Sequence, residues 1–294
     1  MDYVHVDHKF VLLIMSHNKP YDCVTYDTLM AKGYTGDWYI VIDDQDKCIK
    51  EYQERFGVDK VQIFNKPEVA KKFDLMDNFD NDKCVIFARN VCFDIAEKLG
   101  YEYFCELDDD YVDFFARWKE GTTLKRKTFN GRLEDVFNAY LEFLDCSDKI
   151  QCVSLPQGGD MIGGLGSNLV KKGYLRKCMN SQICKVSDRF YFHGRLNEDV
   201  NAYLDCDEAG RVFLQVFDKD AGGILLDQRP TQTGGGMTGI YDMGTYLKSF
   251  YSVIRKPSAV QINMMGDTHM RIHHHINDQY AHPKIISGQY KKES

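Results

Sequence analysis

The sequence predicts an α/β protein built on a mostly parallel central sheet flanked by helices. Two observations carry this. Short apolar runs alternate with helical patterns through the first 110 residues, as in successive βαβ units. Three of those runs end in polar clusters, Ser16-His-Asn18, Asp43-Asp44 and Asp108-Asp-Asp110, and an open α/β sheet binds its ligand beyond the carboxyl ends of its strands.

The elements follow in order. Phe10-Val-Leu-Leu-Ile-Met15 reads as a buried first strand, and residues 20–33 fit a helix that stops at Gly33. Trp38-Tyr-Ile-Val-Ile42 is the second strand. Ile49, Tyr52 and Phe56 recur at helical spacing before Gly57, which marks an amphipathic helix with a glycine stop. Residues 60–64 form a third, shorter strand, residues 66–83 a polar loop, and residues 87–100 a helix carrying Ala88-Arg-Asn90. Residues 101–107 are the fourth strand, ending in three aspartates. Beyond it the chain is less regular: helices are expected near 134–144 and 241–254, strands near 150–155 and 211–217. No repeat or linker interrupts it. A single domain is expected over 1–294, with a donor-binding half to residue 115 and an acceptor-binding half from 116.

Composition narrows the function. The 44% apolar content suits a globular core, no apolar run is long enough to span a bilayer, and the polar opening residues are unlike a signal peptide. A soluble, cytoplasmic protein without membrane association is expected. Ten scattered cysteines with no Cys-x-x-Cys spacing read as reduced, mostly buried thiols. A net charge of −7 argues against nonspecific coating of nucleic acid, which needs a broad basic surface. It leaves room for local basic segments, and residues 117–127 and 171–177 are two of them.

The strand-end carboxylates carry the chemistry. Glu106-Leu-Asp-Asp-Asp110 crowds like charges together, and a hard divalent ion removes that repulsion. Asp108 and Asp110 stand two apart, so in an extended chain they point the same way and can share one cation. Mg²⁺ or Mn²⁺ suits such oxygen ligands and leaves positions for a diphosphate. The competing reading is a solvated turn.

With Ala88-Arg89-Asn90 on the helix before a strand that ends in Asp108-x-Asp110, the chain resembles the GT-A glycosyltransferases. That resemblance implies a nucleotide-diphosphate sugar donor, such as a UDP-sugar, with Asp108 and Asp110 on the metal. Arg89 would meet the donor and Asp43 or Asp44 the nucleoside, and Ser16, Asn18 and Asp109 complete the donor-side candidates. The alternative for Arg89 is a surface salt bridge. Leu196-Asn-Glu-Asp-Val200 is similar to the acidic pair that these enzymes set beside the acceptor. Asp199, with Glu198 beside it, is the candidate base that takes the acceptor's proton; equally, Asp199 or Asn197 could cap a helix over 200–204. Five of the nine histidines fall at 269, 273, 274, 275 and 282. In this family a late histidine often completes the metal shell, which makes His273 and His274 candidates. On an extended strand His273 and His275 share a face and His274 points away, so all three cannot hold one ion.

A narrower resemblance lies in Thr233-Gly-Gly-Gly236, residues 244–253, Pro257-Ser258, Arg271-Ile-His-His274 and Pro283-Lys-Ile-Ile286. These stretches are similar to the TET-associated glycosyltransferases, encoded mainly by tailed bacteriophages. The resemblance implies transfer of a sugar to hydroxymethylated pyrimidines in DNA within the infected cell. A protein, lipid or glycan acceptor is the rival reading. A nucleotide-sugar-binding protein with no turnover, or a nucleotidyltransferase, is another, although Met15-Ser-His-Asn-Lys-Pro20 lacks the glycine-rich loop that nucleotidyltransferases usually carry.

Overall fold

The computed structural model describes residues 8–79, 82–158, 163–167, 178–179, 181–216, 223–228, 246–265 and 270–277. Strand β1 (Phe10–Met15) is buried along almost its whole length, which its unbroken apolar run dictates: a central parallel strand is covered on both faces. Beside it lie β2 (Asp37–Asp43), β3 (Val61–Phe64) and β4 (Tyr103–Asp108). Between them come helices α1 (Val24–Ala31), α2 (Ile49–Phe56), α3 (Lys66–Ala70) and α4 (Ile86–Leu99). A hairpin of β5 (Tyr111–Glu120) and β6 (Thr123–Thr128) follows, then α5 (Leu133–Asp145), β7 (Ile150–Ser154), β8 (Gln182–Lys185), α6 (Glu198–Glu208) and β9 (Val212–Gln215). The last elements are β10 (Gly223–Gln228), α7 (Tyr246–Arg255), β11 (Val260–Met265) and β12 (Arg271–Ile276).

The central sheet has seven strands in the order β3-β2-β1-β4-β8-β7-β9, and only β8 runs against the rest. Alternation along β1 splits the core in two. Val11, Leu13 and Met15 pack with α4 and α6, whereas Leu12 and Ile14 pack with α1, α2 and α5. The expected class, a mostly parallel sheet flanked by helices, is therefore the one observed. A small sheet, β10-β5-β6, and the β11–β12 pair complete it. Seven of the ten cysteines are buried and none is disulfide-bonded. Among the described residues, no helix is long and apolar enough to cross a membrane.

Several elements differ from the sequence expectation. The helix expected over 20–33 is a short 3₁₀ turn at Pro20–Asp22 followed by α1. The break lets the start of α1 bond across to the aspartate turn, Thr25 N–H donating to the Asp109 carbonyl at 3.1 Å. The polar loop over 66–83 contains α3, whose Asn65 cap accepts the Glu68 N–H at 2.9 Å. Asn65 three residues before Glu68 was the legible signal. The basic stretch 117–127, to which the sequence expectation assigns no element, lies in a β-hairpin. The helix expected over 200–204 extends across Glu198–Glu208, and that expected over 241–254 is α7, with 241–245 outside the described residues. Residues 171–177, the 233–236 glycines, His269 and 282–286 also lie outside them.

Candidate active site

The carboxyl ends of β1, β2 and β4 are neighbours, with Met15 opposite both Val41 and Asp108, so the three polar clusters meet in one place. Each is held by the chain around it. Ser16 Oγ donates to Asp109 Oδ2 at 2.6 Å and lies 2.7 Å from the Tyr52 hydroxyl. Asn18 has φ +55°, a conformation that asparagine tolerates better than most residues. Its N–H donates to Asp46 Oδ2 at 2.7 Å, and its Oδ1 accepts from Lys47 N–H at 3.0 Å. His17 Nδ1 stands 3.1 Å from Asp43 Oδ2. Burial would raise the Asp43 carboxyl, but His17 and Lys66 outweigh it and hold it below the usual range. Asp44, which is exposed, accepts Lys66 N–H at 3.0 Å.

The aspartate triplet is not an extended segment, which corrects the geometric part of the sequence argument. β4 ends at Asp108, Asp109 and Asp110 form a turn, and β5 begins at Tyr111. The turn sends Asp109 inward, where it is 8% exposed and reaches Ser16 and, at 3.5 Å, Lys19 Nζ. Burial raises its pKa against both contacts. Asp108 and Asp110 remain half-buried on either side of it. Thr25 stitches the turn: its hydroxyl donates to the Asp108 carbonyl at 2.6 Å and accepts Tyr111 N–H at 2.9 Å.

Arg89 is the hub of the second cluster. It is 4% exposed, far from a surface salt bridge. Nη1 donates to Glu106 Oε1 at 2.9 Å and Gln182 Oε1 at 3.4 Å, while Nη2 and Nε each lie 3.3 Å from an oxygen of Asp108 and Glu198 respectively. Burial opposes its charge, but Asp108, Glu106 and Glu198 together hold it well above the ordinary guanidinium range. Burial likewise pushes the Glu106 carboxyl up to about 8 against the pull of Arg89. Glu198 is also raised, by burial first and with Asp199 adding to it.

The start of α6 settles the capping alternative. Asn197 precedes the helix at φ +56° without a side-chain cap. Its Nδ2 instead donates to the Lys248 carbonyl at 2.6 Å and lies 3.5 Å from His274 Nδ1. Asp199 is not the cap either; it and Glu198 sit in the first turn, where the helix dipole favours negative charge. His274 is 6% exposed and faces Asn197, His275 is exposed, and His273 is half-buried with its ring stacked on His274. Asp108, Arg89, Glu198, Asn197 and His274 thus form a continuous series of contacts.

Among the described residues, no three His, Cys, Asp or Glu side chains stand close enough to hold one ion. A pair of carboxylates fits a hard cation nonetheless, because Mg²⁺ is commonly bound by one or two carboxylates plus substrate phosphates and water. Asp108 and Asp110, flanking the turn, are the candidates for that pair. Sequence reasoning missed Thr25 and Gln182, and it counted Tyr52 only as part of an apolar helix face; no local signal marks the first two.

Comparison with known proteins gives the context. The family model described as TET-Associated Glycosyltransferase matches residues 10–236, which includes β1, the aspartate turn, Arg89 and the first turn of α6. The chain belongs to the TET-associated glycosyltransferase family. This glycosyltransferase matches no curated protein. It is similar in fold to structures of glucosyl-3-phosphoglycerate synthase from Mycobacterium tuberculosis. One, in complex with Mg²⁺ and uridine diphosphate, has a TM-score of 0.45 and 8% identity over 92% of this chain and 90% of that one. Another, with Mn²⁺ and UDP-glucose, has a TM-score of 0.43 and 8% identity over 90% and 85%.

Proposed function

We propose that this glycosyltransferase moves a sugar from a nucleotide-diphosphate donor, most simply a UDP-sugar, to the hydroxyl of a 5-hydroxymethylpyrimidine in DNA. The observation that carries the reading is the Arg89 clasp. It ties Asp108, on the strand end where a donor's diphosphate would be held, to Glu198, beside the candidate acceptor base Asp199. A donor site and an acceptor base must adjoin for in-line attack, and this clasp puts the two carboxylate groups in one cluster. Family membership supports the transferase class, and the transfer to hydroxymethylated pyrimidines inferred for the family's members supports the acceptor. The division into a donor half to residue 115 and an acceptor half from 116 belongs to the same proposal.

In this mechanism Asp108 and Asp110 would hold Mn²⁺ or Mg²⁺, with His273 or His274 as a further candidate ligand. A divalent cation there supplies Lewis-acid stabilisation to the departing diphosphate. Thr25 and Ser16 fix the turn that presents the carboxylates. Ser16, Asn18, Asp43, Asp44 and Asp109 shape the nucleotide end; Asp43 and Asp44 accept backbone N–H groups there, and Asp109 holds Ser16 and Lys19. Arg89 acts as a positioning residue, and Asp199 takes the proton from the attacking hydroxyl. A target base in duplex DNA would first leave the stack, at a cost of a few kcal/mol.

The test is a transfer assay with Mn²⁺, a panel of nucleotide sugars, and either hydroxymethylcytosine DNA or protein and glycan acceptors. Transfer to the DNA alone is the expected result. Transfer only to a protein or glycan would retain the class and replace the acceptor.

A further inference from the structure

The hairpin that grows from the aspartate turn has a charge opposite in sign to that of the whole chain. Between Tyr111 and Thr128 it carries Arg117, Lys119, Lys125, Arg126 and Lys127 against Asp113 and Glu120, a balance of five positive to two negative in a protein of net charge −7. Its register divides these groups by face, because directly opposed residues of an antiparallel pair share a face. Trp118 opposes Lys125 and Ala116 opposes Lys127, so Trp118, Lys125 and Lys127 lie together. Arg117 opposes Arg126 on the other face. There Arg126, itself exposed, is engaged with its own strand pair: its guanidinium lies 4.0 Å over the Phe115 ring and 2.9 Å from Asp113.

Lys125 and Lys127 are exposed, and Trp118, opposite Lys125, is half-exposed. The Lys125 ammonium lies 3.4 Å from Glu120, but both side chains are at least half exposed, and such pairs contribute little. β10 pairs with β5 only as far as Arg117. Among the described residues, the tip from Trp118 to Lys125 is therefore a two-stranded ribbon. It closes on Gly121 at φ +58°, which suits the first position of a two-residue hairpin loop. Residues two apart on a strand are about 6.8 Å apart, about the rise of two phosphates along one DNA strand. At about 3.3 Å per residue, Lys127, opposite Ala116, stands roughly 17 Å along the ribbon from Tyr111.

We infer that this face of the β5–β6 ribbon, with Lys125 and Lys127 on the phosphates and Trp118 beside them, docks the duplex acceptor and aims it at the turn formed by Asp108 and Asp110. The inference rests on the DNA-acceptor reading and adds to it the surface that holds the DNA. Phosphate contacts of this kind set position without reading sequence. The ribbon is covalently continuous with the aspartate turn, so a duplex fixed to it is fixed relative to the carboxylates. It separates Lys125 and Lys127, which face outward, from Arg126, which supports the hairpin.

The experiment measures fluorescence anisotropy of a short labelled hydroxymethylcytosine duplex across a salt series, with Mn²⁺ and UDP present. Three proteins are compared: the parent, Lys125→Ala/Lys127→Ala, and the control Lys9→Ala/Lys98→Ala, which removes two exposed charges at the opposite end of the sheet. Circular dichroism confirms that all three are folded. The ribbon variant is expected to flatten the log–log salt slope by about 1.8, at about 0.9 per lost contact, which near 0.1 M salt is a loss on the order of 50-fold. The control keeps the parent's slope. If the parent binds and the ribbon variant matches it, or if the control flattens equally, the ribbon is not the docking surface while the acceptor reading stands. If the parent binds no duplex at any salt, the acceptor reading itself fails and the ribbon assignment with it.

Discussion

Arg89 and Glu198 are 109 positions apart in the chain, yet Nε of one lies 3.3 Å from Oε1 of the other. The contact joins α4 to the first turn of α6, and through Asp108 it reaches the strand end as well. A buried cation with three carboxylate partners is a strong constraint. Its loss leaves like charges facing one another in a medium that screens them poorly.

Arg89→Met should therefore lower stability by ~3 kcal/mol or more and abolish transfer. The companion variant Arg89→Met/Glu106→Gln replaces Arg89 together with its nearest hydrogen-bond partner, and should recover a large part of the stability while staying inactive. Thermal unfolding and a transfer assay separate the two effects. A stable, active Arg89→Met protein would remove Arg89 from the site.

Asp110→Ala should abolish Mn²⁺-dependent binding of UDP and leave the melting temperature nearly unchanged, because a half-buried turn carboxylate contributes little to the core. Calorimetric titration with and without chelator reads this directly. Equal affinity under both conditions in the parent would count against a metal at this turn.

Asp199→Asn should keep UDP binding and lose transfer by a factor of about 10² to 10⁴, the usual contribution of a general base. Asparagine keeps the size of the side chain and removes its basicity. Normal turnover would show that Asp199 is a bystander in the first turn of α6.

Asp77 provides a pH prediction away from the chemistry. Burial alone would raise its pKa, but hydrogen bonds from the buried Arg195 and from Tyr251 lower it below the usual value. A depressed folded pKa gives stability that is fully present above the unfolded value of about 3.9 and lost as pH falls through the folded value. The parent should lose stability below about pH 4. Asp77→Asn should flatten that loss and cost ~3 kcal/mol at neutral pH, since it leaves the Arg195 charge buried without its carboxylate. Urea unfolding at several pH values measures both. An unchanged acid limb would exclude Asp77 as its source.

The chain's local chemistry determined the sheet. An apolar run such as residues 10–15 can only be buried, and periodicity placed α2 at Ile49–Phe56 and α4 close to Ile86–Leu99. Glycine stops were equally legible, as at Gly33 and Gly57, whose positive φ is cheap only for glycine. The strand-end carboxylates, Arg89 and the acidic pair at 198–199 were all readable, because charge crowded at the end of an apolar run is visible in one dimension.

What residues do to one another across the chain was decided only by the tertiary structure. An extended Asp108-x-Asp110 was a fair reading of three adjacent residues, but Thr25, some 80 positions away, bonds to both sides of the triplet and fixes it as a turn. Arg89 looked like a ligand-facing or surface residue until the fold enclosed it among Glu106, Asp108 and Glu198. Asn197 looked like a cap until α7 and β12 came within reach of its amide. Periodicity and turn chemistry act over a few residues and are written locally; burial, pKa and the choice of hydrogen-bond partner depend on which distant segments the collapsed core brings together.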